Sequence, residues 1–116
     1  MVPLYPIEVI GLLSKVKIDA AVDTCFEGEV CLPAIVAVEL GLVLVGREEF
    51  EYADGRREMD YLFAGEAIFM GEQKPISIVL TQSNQALIGT ELMADCTLTV
   101  DFSTGQVDIV RTATTP

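Results

Sequence analysis

The chain has no histidine. That absence excludes the Ser-His-Asp and Cys-His forms of nucleophilic catalysis, because the nucleophile would have no imidazole base. It also removes the usual imidazole ligands of a catalytic zinc. Cysteine is sparse. Cys25, Cys31 and Cys96 are an odd number without CxxC spacing, which argues against a zinc ribbon or a disulfide framework. They read as three thiols in a reducing compartment. Basic residues are scarce as well, 7 against 18 acidic ones, for a net charge of −11. Only Arg56 and Arg57 are adjacent. Phosphate backbones demand clustered Lys and Arg, so nucleic acid is not an expected partner. The acidic balance favours solubility and attracts basic ligands. No apolar run is long enough to span a membrane. The best candidate, residues 32–45, is broken by Pro33, Glu39 and Gly41. Residues 1–6 lack the basic start and apolar centre of a signal peptide, so the expected location is cytoplasmic.

What is present is enough for one domain, residues 1–116, with just over half of its residues apolar and a real core to build. With histidine missing, carboxylates are the main catalytic candidates. The most informative one is in Ala20-Ala21-Val22-Asp23-Thr24-Cys25-Phe26-Glu27-Gly28. An apolar strand there closes on a carboxylate, a hydroxyl and a Gly-containing turn. A carboxylate at the end of a buried strand is costly unless something pairs or uses it. Ala86-Leu87-Ile88-Gly89-Thr90 repeats the device later in the chain, an apolar strand closing on a residue-Thr turn. The plainer reading of Asp23 is an Asx-turn residue that satisfies neighbouring backbone amides.

The rest of the chain reads as short strands between turn signals. Residues 7–10, 16–22 and 30–32 are strand-like. Pro33 and Gly41 punctuate a short helix, Pro at its start and Gly past its end. Asp54-Gly55 lies between two alternating runs, the composition of a two-residue hairpin turn. That turn would set Phe50 opposite Met59, Tyr52 opposite Arg57, Glu51 opposite Glu58 and Glu49 opposite Asp60. Opposed like charges weaken pairing. A marginal hairpin, acidic on one face and mobile at its tip, is expected, and a merely solvated hairpin is the plainer alternative. Residues 67–70 and 76–81 predict a second hairpin around residues 71–75. Residues 90–94 predict one helical turn capped by Thr90. Residues 96–102 and 106–111 predict a third hairpin, and residues 112–116 a loose tail.

Taken together, these residues resemble the single-lobed, retropepsin-like aspartic proteases, most closely a prokaryotic group of clan AA proteins. The resemblance covers nearly the whole chain. Its anchors are the run from Ala21 to Gly28 with Leu32-Pro33, the Ala53-Asp54-Gly55 hairpin, Leu87-Ile88-Gly89 with Leu92, and the closing run Cys96-Thr97-Leu98-Thr99-Val100-Asp101-Phe102. It implies a mainly β, closed acid-protease barrel with one or two short helices, assembled as a symmetric homodimer. Each protomer would supply one catalytic aspartate, Asp23. Thr24 would hold the position whose hydroxyl bonds across the dimer. Ala53, Asp54, Gly55 and Arg56 would form the flap over an extended peptide or protein substrate. Ile88 and Gly89 would form the supporting turn, with Gly89 letting the chain pass close behind the active-site loop. No metal or other cofactor is implied. The chain departs from the family after Asp-Thr, where Gly is usual, less often Ser or Ala, and Cys25 stands instead. Its thiol adds bulk in the cleft.

The chemistry fits this assembly. Two carboxylates held a few ångströms apart share one proton, because ionising both is expensive. The ionised member activates a water and the protonated member polarises the scissile carbonyl. One Asp23 cannot do both, so the mechanism requires a dimer. Two functional classes stand: an aspartic endopeptidase, and a catalytically weak or inactive dimer that keeps the groove as a peptide-binding or assembly module. Cys31 and Cys96 read as small core hydrophobes.

Overall fold

The computed structural model describes residues 2–112. The expected loose tail therefore lies, except for Thr112, outside the described residues. The chain is mainly β. Its strands are β1 (Leu4–Ile10), β2 (Lys15–Val22), β3 (Val30–Pro33), β4 (Val43–Glu51), β5 (Arg57–Phe69), β6 (Glu72–Thr81), β7 (Leu87–Ile88), β8 (Cys96–Asp101) and β9 (Gln106–Arg111). One helix, α1 (Ala34–Leu40), follows β3. Seven strands form a sheet in the order β1-β2-β7-β3-β6-β5-β4, and β1 also pairs with β5. The last two strands form a sheet of their own. The pairing thus gives two sheets, with β4 left at an edge of the larger one.

Alternation drives this architecture. In β1 the side chains of Ile7 and Val9 turn inward while their neighbours stay partly exposed, the period of a strand buried on one face. They meet Val30, Leu32, Ile78, Ile88 and Phe69 in one core. Burying each such side chain contributes about 1.5–3 kcal/mol. A smaller cluster of Phe26, Cys31, Phe50 and Val79 lies apart from it. The helix begins one residue later than its punctuation suggests. Pro33 is the N-cap, in extended backbone at the end of β3, and Gly41 closes the helix at φ 71°, a left-handed conformation that glycine adopts without strain.

The central hairpin departs from its expected register. Tyr52 N–H donates to the Arg56 carbonyl and Gly55 N–H to the Tyr52 carbonyl, each at 2.9 Å. Gly55 sits at φ 82°. This is a three-residue loop with glycine in the bulge position, not a two-residue turn. The extra residue slips the ladder by one, setting Glu51 opposite Arg57, Phe50 opposite Glu58, Glu49 opposite Met59 and Glu48 opposite Asp60. The expected Glu51–Glu58 and Glu49–Asp60 oppositions do not form.

Two further expectations are corrected. The β5–β6 connection is the two-residue turn Met70–Gly71, both at positive φ, so β6 begins at Glu72 and Pro75 lies within it opposite Glu66. Pro75 is tolerated because the other neighbour, β3, pairs only from Ile78 onward. Residues 90–94 form turns and no helix, and the Thr90 hydroxyl donates to the Phe26 carbonyl instead of capping. The third hairpin forms as expected, its first strand ending at Asp101, which leaves Phe102 exposed.

Candidate active site

β2 delivers Asp23. It runs parallel to β7, pairing Ala21 with Leu87 and Val22 with Ile88. The two similar turns therefore lie side by side. Asp23 N–H donates to the Ile88 carbonyl at 3.0 Å, fixing the first residue beyond the strand. The Asp23 carbonyl accepts Phe26 N–H at 3.2 Å and closes the loop on itself. Oδ1 of Asp23 accepts Cys25 N–H at 2.9 Å, so the Asx turn of the plainer reading is present. The Asp23 side chain is half-buried, and Thr24 and Cys25 are exposed.

Behind the loop runs Gly89. A Cβ there would lie 2.2 Å from the Gly28 carbonyl oxygen and 2.6 Å from that of Phe26. Backbone atoms cannot yield as a flexible side chain can, so only glycine fits. Gly89 N–H donates to the Glu29 carbonyl, Thr90 N–H to that of Phe26 and Glu91 N–H to that of Gly28. The loop is thus pinned from behind along its length.

The structure brings Asp23, Thr24, Cys25, Ile88 and Gly89 together. The hairpin tip does not join them directly. Ala53, Asp54, Gly55 and Arg56 are exposed, and the tip bonds to itself, with Asp54 Oδ1 accepting Arg56 N–H at 3.0 Å. The residues that reach the loop are Phe50, Glu51 and Tyr52 at its base. Phe26 packs 6.0 Å from Phe50 and stacks on Tyr52 at 6.4 Å with the planes 16° apart. Glu27 Oε1 accepts Glu51 N–H at 2.9 Å. The signal for this contact was the i, i+2 spacing of Phe50 and Tyr52, which puts both rings on one strand face, opposite the Phe26 that follows the Asp-Thr-Cys run.

Electrostatics around the loop are dominated by carboxylates. Burial pushes the Cys31 thiol up to about 12, with the charges of Asp60 and Asp23 adding to the effect, so it stays a neutral packing group. Burial also raises the Tyr52 hydroxyl, helped by its hydrogen bond to Asp60. Glu91 is raised by burial first and then by Glu29, Glu48 and Glu27. Among the described residues no three His, Cys, Asp or Glu side chains are grouped to hold a metal ion, and no helix is long and apolar enough to cross a membrane. Cys25, Cys31 and Cys96 are all free thiols. A scan of protein-family models and searches of curated proteins and of solved structures each give no match to this chain.

Proposed function

We propose that the chain is a retropepsin-like aspartic endopeptidase that works as a homodimer, one Asp23 from each protomer. The observation that carries the reading is the side-by-side placement of the Asp23 and Gly89 turns, with Gly89 packed against the loop's own carbonyls. Such a loop is rigid from behind and open in front. Within the chain Oδ1 of Asp23 is engaged by the Cys25 amide, and a second carboxylate must come from elsewhere. A two-fold contact through this face supplies it, since an isologous interface brings each residue to its own copy. In this reading Thr24, exposed beside it, bonds across that axis.

In this reading the ionised Asp23 takes a proton from water as the water attacks the scissile carbonyl, and the protonated Asp23 hydrogen-bonds the developing oxyanion. Collapse of the tetrahedral intermediate returns a proton to the leaving amine. The substrate is an extended peptide lying between the loop and the hairpin.

The test is digestion of denatured casein at mildly acidic pH, paired with sedimentation of the same samples. Wild type cleaves and sediments as a dimer. Asp23→Asn, nearly isosteric but unable to hold the shared proton, stays folded and dimeric and does not cleave. Full activity in Asp23→Asn, or a strict monomer at the working concentration, ends the reading. A second reading, a peptide-binding or assembly module without catalysis, is favoured by one observation, the exposed Cys25 thiol in the loop where the family usually has glycine. A peptide analogue of the tetrahedral intermediate separates the two, because a protease binds it in a manner that depends on Asp23 protonation.

A further inference from the structure

Glu27 stands at the junction of the loop and the hairpin. Its Oε1 accepts the Glu51 amide at 2.9 Å and lies 3.8 Å from Nη1 of Arg57. Glu51 is the last residue of β4 and Arg57 the first of β5, so one carboxylate holds both feet of the 52–56 tip. The reason lies in the ladder. Tyr52 and Arg56 are the hydrogen-bonded pair nearest the tip, so the Glu51 amide turns outward, away from β5. Among the described residues β4 is an edge strand with no strand neighbour on that side, and an outward amide there lacks a strand partner. Glu27 supplies the acceptor. Arg57 ties the group together further, donating Nε to Glu49 at 2.7 Å and Nη1 to Glu51 at 3.4 Å. On the inner face the preceding residue, Phe26, is stacked on Tyr52.

We propose that Glu27 is a positioning residue that sets how far the 52–56 tip stands from Asp23, through the Glu51 amide and the Arg57 guanidinium. It lies four places after Asp23, on the loop itself, so any shift of the loop is passed to both feet of the hairpin at once. The proposal rests on the reading of the hairpin as a flap, but its first test does not involve catalysis.

Amide exchange is measured on the full chain for wild type, Glu27→Ala and Glu27→Gln. Gln keeps a carbonyl acceptor for the Glu51 amide and loses the charge that faces Arg57. In Glu27→Ala the Glu51 amide and those of residues 52–57 exchange about tenfold faster, the effect of losing one charge-assisted bond, while amides of β1 and β9 keep their wild-type rates. Glu27→Gln restores protection of the Glu51 amide. Unchanged exchange at Glu51 in the Ala variant, or acceleration spread evenly over all strands, overturns the proposal. With casein as the probe, Glu27→Ala raises KM more than it lowers kcat, because the residue positions the cleft's cover without touching reacting atoms. A fall in kcat with KM unchanged overturns it too. A wild type without peptidase activity ends the protease reading alone, and the exchange result still decides the role of Glu27.

Discussion

At the scale of single residues, two side chains show how tightly the loop is specified. Gly89 has no space for a methyl group, since both near neighbours are carbonyl oxygens of the loop. Gly89→Ala will therefore destabilise the protein by about 2–3 kcal/mol through overpacking, measured as a lower urea midpoint with an unchanged slope. A neutral result would show that the loop can retreat. Glu91 tests the electrostatics. Burial, then Glu29, Glu48 and Glu27, raise its folded-state pKa above the ordinary carboxylate value. The folded state then holds the proton more readily than the unfolded chain. The stability it contributes is complete below the unfolded pKa and is lost as pH rises through the raised folded one. Glu91→Gln will thus stabilise the protein at neutral pH and have no effect in acid. The gain is small, at most about 0.5 kcal/mol, because an exposed charge is screened. A gain that persists unchanged in acid would assign it to packing instead of charge.

At the scale of elements, the central hairpin shows both the reach and the limit of the sequence. Asp54-Gly55 marks the turn correctly. The strand pairing was misplaced because glycine serves equally in a two-residue turn and in the bulge of a three-residue loop, and a window of alternating residues satisfies both registers. What chooses is non-local: Phe26 and Glu27, far back in the chain, grip Phe50, Glu51 and Tyr52. The Met70–Gly71 turn was missed for a related reason, since methionine at φ 55° gives no composition signal. The helix was legible because Pro33 and Gly41 act locally. Tyr52 makes the hairpin's cost measurable. Its hydroxyl donates to Asp60 beneath the tip, and Tyr52→Phe leaves that carboxylate half-buried without its partner. The variant will lose about 1–2 kcal/mol while keeping the ring stack on Phe26, and thermal unfolding will show it. No loss would mean that water replaces the hydroxyl without cost.

At the scale of the whole molecule, the β content and the position of Asp23 at a strand end could be read from alternation and from the apolar run before it. The order of strands could not. β2 with β7 and β3 with β6 are parallel pairings between distant segments, and no local pattern encodes which strand a strand will meet. The same long-range pairing accounts for the packing of Gly89 against the loop carbonyls, a close approach that composition alone did not reveal. Charge is distributed unevenly on this frame. Glu29, Glu48 and Glu27 act on Glu91 from the loop and β4, and Arg57 pairs with Glu27, Glu49 and Glu51. Leu12 and Leu13, at the β1–β2 turn, donate their amides to the carbonyls of Gly41 and Leu40 and keep their side chains in solvent.

The bond from Thr90 to the Phe26 carbonyl joins residues 64 positions apart, and this puts the site late in time. Closing so long a loop costs chain entropy before any contact repays it. The β1–β2 and β5–β6 hairpins close over short turns and form first. A chain caught midway through refolding holds those hairpins and has no Asp23 loop at all. Pulsed exchange labelling during refolding will find β5 and β6 amides protected before those of Asp23, Phe26 and Gly89, and simultaneous protection would refute the order. A nascent chain of this kind can therefore carry its local hairpins well before the Asp23 loop takes shape.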